Sequence, residues 1–147
     1  MAGRLSGKII LLSGGTRGMG EAQVRGMVRE GAEVIFGGRD RAAGAAIEAS
    51  LDSKAYFIPL DVTKPEDWKA AVEFAVERFG RIDGLVNNAG VGATRPLVDI
   101  SDEEWASIVA VNQNGVFFGM REGARAMLKS GGGSIVNVAS PAGTKAH

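Results

Sequence analysis

Residues 13–20 read SGGTRGMG, four glycines in eight positions directly after the apolar run Ile9–Leu12. A short buried run closed by glycines has the form of a strand leaving through a tight turn, here Lys8–Leu12. The residues that follow, Gly18–Glu30, have the pattern of a helix, with Gly31 as its C-terminal cap. A strand, a glycine turn and a helix N-terminus together form an anion site, because unpaired backbone N–H groups and the helix dipole face the turn. The spacing is Gly14-x-x-x-Gly18-x-Gly20 rather than the common Gly-x-Gly-x-x-Gly, yet it meets the same physical needs. Gly14 permits the turn, Gly18 lets the backbone approach a pyrophosphate, and Gly20 lets the helix lie close on the sheet. A plain glycine-rich turn would leave the same trace, so the remainder of the chain has to decide between them.

Outward from this loop, short apolar runs alternate with amphipathic segments. "AEVIFGG" reads as a second strand and "DRAAGAAIEASL" as a second helix with Asp40 as its N-cap. "AYFIPL" is a third strand. Thr63 and Glu66 read as a capping box, with Pro65 in the first turn of a third helix that runs to Phe79. "GLVNNAG" is a fourth strand leaving through a glycine-containing turn. Ser101 and Glu104 form another capping box, opening a long helix through Trp105, Ile108, Val116 and Phe117 to about Leu128. "SGGGS" ends it, and "SIVNVAS" is a fifth strand. This alternation implies an α/β fold: a Rossmann-type, doubly wound parallel sheet with helices on both faces. In such sheets ligands bind beyond the carboxyl ends of the strands. "SGGTRGMG", "GGRD", "LDVT", "NNAG" and "NVAS" all fall at such ends.

Composition narrows the functional classes. The 147 residues suit one domain, and 17 basic against 17 acidic residues leave no net charge. Neither half carries a basic block, which argues against nucleic acid as a partner. With no cysteine in the chain, disulfides, thiolate metal sites and cysteine nucleophiles are excluded. The single histidine, His147, argues against a histidine-based metal centre or triad, so no metal is expected. The apolar stretch near the start is too short for a signal or membrane segment, so a cytoplasmic protein without membrane association is expected. Glycine is the outlier, at 22 residues, clustered near strand ends.

The end of the second strand bears on which dinucleotide would bind. A fold preferring NAD usually carries an acid there to hold the ribose 2′-hydroxyl. Here Gly38 is followed by Arg39, whose guanidinium can hold a 2′-phosphate, and Arg17 in the glycine loop can approach the same group. Asp40 argues the other way, but it lies two residues late and fits better as a helix cap. NADP(H) is therefore favoured and NAD(H) stays open.

With these pieces in order, the whole chain resembles the short-chain dehydrogenase/reductase family. "SGGTRGMG" is similar to the family's Thr-Gly-x-x-x-Gly-x-Gly loop, with Ser13 keeping the hydroxyl of the usual threonine. The resemblance implies cofactor contacts from Ser13, Gly14, Thr16, Arg17, Gly18, Met19 and Gly20, with Arg39 beside them. "LDVT" resembles the segment in which Asp61 meets the adenine amino group and Val62 lines the adenine pocket. "NNAG" resembles the family's most specific short signature and implies that Asn88, Ala89 and Gly90 line the cofactor channel. "VNQNG" matches Asn-x-x-Gly, which makes Asn112, at an interruption of the fourth helix, the catalytic asparagine that anchors a water in a proton relay. "NVASPAG" matches Ser-x-x-Gly, with Ser140 as the catalytic serine and Gly143 closing the motif.

The implied chemistry is reversible hydride transfer between nicotinamide and an alcohol or ketone. Within the family, "RLSGKI", "GLVNNAG" and "AMLKSGGGSIVNVAS" are most similar to bacterial hydroxysteroid dehydrogenases of the 3α/20β type and to 3-oxoacyl-reductase-like members. "GGRD" departs from the NAD preference common among the steroid enzymes. A steroid or other bulky hydrophobic substrate is expected, as is a homo-oligomer, dimer or tetramer.

The family's Tyr-x-x-x-Lys pair is expected about a dozen residues beyond the serine. The chain ends at His147, its only tyrosine is Tyr56, and Lys145 and His147 have no tyrosine beside them. The expectation is the N-terminal part of a chain of roughly 250 residues, truncated after the fifth strand and nearly inactive by itself. The rival reading is a non-catalytic dinucleotide-binding module. It needs the glycine loop and "NNAG" but not Ser140 or Asn112.

Overall fold

The computed structural model describes residues 3–93 and 95–140. At its centre lies β1, Ile9–Ser13, every residue of which is buried. Ile9 and Leu11 point into one core, and Ile10 and Leu12 into the other. A strand covered on both faces has no polar side to show, which is why its sequence is a continuous apolar run.

The other elements follow in alternation. They are α1 Gly18–Arg29, β2 Glu33–Gly38, α2 Arg41–Ala49, β3 Ala55–Pro59, α3 Pro65–Phe79, β4 Gly84–Asn87, α4 Asp102–Val109, α5 Val116–Lys129 and β5 Ser134–Asn137. The strands form one sheet in the order β3-β2-β1-β4-β5, with every neighbouring pair parallel. The chain moves outward from β1 to β3, then crosses back to place β4 on the far side of β1. That reversal opens a crevice beyond the carboxyl ends of β1 and β4.

Each face of the sheet has its own core. Val24 and Ile47 of α1 and α2 pack on Ile10, Leu12, Val34 and Phe36. Trp68, Ala71, Val72 and Ala75 of α3, with Ala126 and Met127 of α5, pack on Ile9, Leu11, Ile35 and Leu85. Glycines let α5 approach closely. A Cβ on Gly119 would stand 2.7 Å from the Trp68 ring, and one on Gly123 would stand 2.8 Å from Leu85.

Local signals fared unevenly. Asp40 caps α2 as expected, its Oδ1 accepting from the Ala43 amide at 3.0 Å. Gly31 follows α1 with φ +91°, in the left-handed region. Ser101 Oγ accepts from the Glu104 amide at 3.2 Å, whereas the Glu104 carboxylate pairs with Arg95 instead of returning to the cap.

The Thr63–Glu66 capping box does not form. The N-cap of α3 is Lys64, with no side-chain cap bond, and Pro65 is the first helical residue. Thr63 lies one residue before that cap, and its hydroxyl and amide both donate to Asp61 Oδ1, at 2.8 and 3.1 Å, closing a local turn. The expected long helix is two helices joined by a π-helical turn, Ala110–Gly115. β5 lies at the sheet edge among the described residues, with Val136 half exposed.

Candidate active site

The crevice at the strand ends holds a cavity of about 470 Å³. Its floor is the glycine loop. Gly14 has φ +72°, and a Cβ there would stand 2.8 Å from Ala89 Cα. Gly18 has φ +54° with no atom within 4 Å of where a Cβ would be, so its backbone is bare toward the cavity. Gly20 rests against the Gly14 carbonyl and the Asn88 side chain. It brings α1 onto the turn itself, a closer fit than the sheet contact its spacing suggested. Thr16, Arg17 and Met19 complete this wall.

The loop is tied across the switch point to the end of β4. Ser13 Oγ accepts from the amides of Asn88 and Ala89, each at 3.2 Å. Asn88 Nδ2 donates to the carbonyls of Ser13 and Gly14 at 3.2 and 3.1 Å. Ser13 is 1% exposed and is not on the cavity wall. It was expected to touch the cofactor, but its hydroxyl is turned inward to hold the "NNAG" backbone, which makes it a positioning residue. Asn88, Ala89 and Gly90 do line the cavity.

The opposite wall carries Arg39, Asp61 and Val62. Arg17 and Arg39 are exposed, and neither is within salt-bridge distance of a carboxylate among the described residues. The Asp40 carboxylate caps α2, and Arg17 and Arg39 line the cavity beside it. Partial burial works against ionisation of Asp61. Hydrogen bonds from the Thr63 hydroxyl and amide, helped by the charges of Arg39 and Lys64, outweigh burial and hold its carboxyl below the usual range. Asp61 is therefore an acceptor at neutral pH. Its amide donates to Asp67 Oδ2 at 2.8 Å, which fixes the segment from behind. Val62 is set by Trp68, whose indole N–H donates to the Val62 carbonyl at 3.1 Å.

Asn112 sits in the π-helical turn, just beyond the cavity wall. Its Oδ1 accepts from the Val91 amide at 2.9 Å, and its Nδ2 donates to the Val91 carbonyl at 2.7 Å. Both ends of the side chain clamp the chain leaving β4, so only one lone pair and one N–H remain for a water. Ser140 lies three residues beyond β5 at the same end of the sheet, and it is exposed. Gly143, Lys145 and His147 lie outside the described residues. Tyr56 stands near the amino end of β3, with its hydroxyl bonded to Glu33 and Ser53 and Arg78 stacked on its ring. Its place is structural, at the far end of the strands.

The cavity wall also includes Gly38, Asp40, Leu60, Val91 and Val111. None was named as a cofactor contact, although Gly38, Asp40 and Leu60 belong to the "GGRD" and "LDVT" segments expected at this end of the sheet. Gly38 and Asp40 flank Arg39, and Val91 follows "NNAG", so adjacency was their sequence signal. Among the described residues no group of His, Cys, Asp and Glu side chains could hold a metal ion, and no helix is long and apolar enough to cross a membrane. A bare glycine backbone at a helix N-terminus, an ionised carboxylate and two exposed guanidiniums around one cavity fit a dinucleotide with its phosphates.

Comparison with known proteins agrees. A sequence model described as short chain dehydrogenase matches residues 8–147. The chain is 47% identical over 140 residues to a 3-alpha-(or 20-beta)-hydroxysteroid dehydrogenase of Mycobacterium tuberculosis, covering 95% of this chain and 54% of that protein. It is 38% identical over 143 residues to the 2,5-dichloro-2,5-cyclohexadiene-1,4-diol dehydrogenase LinX of Sphingobium indicum, covering 95% of this chain and 57% of the relative. It therefore spans about half the length of these curated relatives. The structure superposes on a 3-ketoacyl-(acyl-carrier-protein) reductase from Brucella melitensis complexed with NADH, with TM-score 0.89 and 34% identity, over 94% of this chain and 59% of that one.

Proposed function

Because the chain belongs to the short-chain dehydrogenase family, we propose that the full-length protein interconverts a secondary alcohol and a ketone with a nicotinamide dinucleotide, NADP(H) preferred over NAD(H). The observation that carries this reading is the convergence of the glycine loop, Arg17, Arg39, Asp61 and "NNAG" on one cavity. The dinucleotide, when bound, supplies or accepts the hydride. In this reading the Gly14–Gly20 backbone and the N-terminus of α1 hold the pyrophosphate. Asp61 accepts from the adenine amino group, and Val62 packs on the ring. Arg17 and Arg39 hold the 2′-phosphate, and Asn88–Gly90 line the rest of the channel. Ser140 donates to the substrate oxygen, and Asn112 helps hold a water that relays a proton.

Two of the relatives are named for alcohols on alicyclic molecules, a hydroxysteroid and a cyclohexadienediol. We take an alicyclic or steroid alcohol/ketone as the substrate class. A panel of cyclic ketones, steroid ketones and 3-oxoacyl thioesters with NADPH tests this. Faster turnover of the thioesters would move the reading to a 3-oxoacyl reductase. Tight NADPH binding with no turnover on any of them would favour a non-catalytic module.

Cofactor preference has a direct test. Titration should show NADPH binding more tightly than NADH, and Arg39→Asp should reverse the order. Charge-assisted bonds contribute about 1.5–3 kcal/mol, so NADPH affinity should fall roughly tenfold to a hundredfold. Equal wild-type affinities would overturn the preference.

The proposed setting is cytoplasmic and homo-oligomeric, dimer or tetramer. Trp105 and Phe117, more than half exposed on α4 and α5, support association through that helical layer. Sedimentation of the full-length protein as a monomer would overturn it.

A further inference from the structure

The glycine loop passes over the end of β2, and the contact there is tight. A Cβ added to Gly38 would stand 2.6 Å from Thr16 Cγ2 and 2.8 Å from Thr16 Oγ1. Gly38 lies in a strand and is not among the glycines with positive φ, so its missing side chain is not a demand of its own backbone. The neighbour demands it. Position 38 closes β2, the place where an NAD-preferring fold carries its ribose-binding acid. We infer that Thr16 is a specificity-determining residue: its branched side chain fills the space a carboxylate at position 38 would need, so the loop itself excludes the NAD-type acid. This rests on the NADP(H) reading above and adds to it a steric element independent of the arginines.

Neither side of the contact can yield easily. Gly38 is held in the sheet, paired with Pro59, and its carbonyl accepts from the Leu60 amide at 3.1 Å. The loop is fixed to the same strand by the Gly15 amide, which donates to the Gly37 carbonyl at 2.9 Å. Relief would have to come from rotation of Thr16, and rotation cannot supply it. A threonine places two heavy atoms in three staggered positions. Two of those positions face Gly38, so every rotamer leaves at least one heavy atom against a new Cβ. Serine has one heavy atom and can turn it to the third position. Valine, with two branches, cannot. With serine turned away, the closest remaining approach is that of the position-16 Cβ, at 3.3 Å, which a shift of a few tenths of an ångström accommodates.

The test is a set of variants of the full-length protein, read as dissociation constants for NADH and NADPH by direct titration. Gly38→Asp alone should weaken both dinucleotides about tenfold or more, since overpacking displaces the loop. Adding Thr16→Ser should restore NADH binding by about tenfold or more over the single variant while NADPH stays weak. Adding Thr16→Val should restore neither. The inference is overturned if Gly38→Asp alone gains NADH affinity as fully as the serine double variant, or if serine and valine behave alike. Should Gly38→Asp fail to fold, Gly38→Ala carries the same comparison in melting temperature, lowered alone, recovered with Thr16→Ser and not with Thr16→Val. The wild-type order of NADPH and NADH decides the underlying cofactor reading separately, because the coupling between positions 16 and 38 does not depend on it.

Discussion

Ser140→Ala in the full-length protein is expected to reduce kcat for ketone reduction by about 10²–10³-fold while leaving NADPH affinity and melting temperature unchanged. Ser140 is exposed, lies past the end of β5 and belongs to neither apolar core. Its proposed role is to donate to the substrate oxygen as negative charge develops there. A donor aimed at that oxygen acts mainly in the transition state, so the loss should appear in kcat more than in KM. Unchanged turnover would remove Ser140 from the catalytic set. A parallel loss of melting temperature would mark it as structural instead.

Trp68→Ala is expected to cost about 3–5 kcal/mol of stability, a large share of the roughly 5–15 kcal/mol available to a domain. Trp68 is 1% exposed and fills the space that Gly119 leaves between α3 and α5. Its indole N–H also holds the Val62 carbonyl. The alanine variant opens a cavity beneath the cavity-lining "LDVT" segment, so dinucleotide affinity should fall as well. Trp68→Phe separates the two effects. It keeps most of the volume but leaves the Val62 carbonyl without its donor, at about 1–3 kcal/mol. Urea unfolding and NADPH titration check both variants. A loss below about 1 kcal/mol for alanine would mean that the tryptophan is not the wedge its burial indicates.

The difference between these two residues shows what could be read in advance. Ser140 was visible in the sequence because its motif is local. Trp68 was visible only as part of the "TKPEDW" helix start, since the glycine that makes room for it stands 51 positions later, at Gly119. Thr63 was misread for a local reason: α3 begins one residue later, with Lys64 as its N-cap, and Thr63 closes a turn on Asp61 instead. Ser13 was placed in the right loop with the wrong facing, because only the arrival of β4 showed where its hydroxyl points.

By itself the sequence determined the strand–helix alternation, the helix caps at Asp40 and Ser101, and which segments gather at the carboxyl ends of the strands. Each of these depends on residue period or turn chemistry within a few positions. Tertiary structure alone decided the facing of Ser13, the clamp of Asn112 on Val91 and the seat of Thr16 on Gly38. These depend on which segments the sheet order brings together, and on whether the space at the meeting point admits one more atom. Close packing decides both, and no local pattern records them.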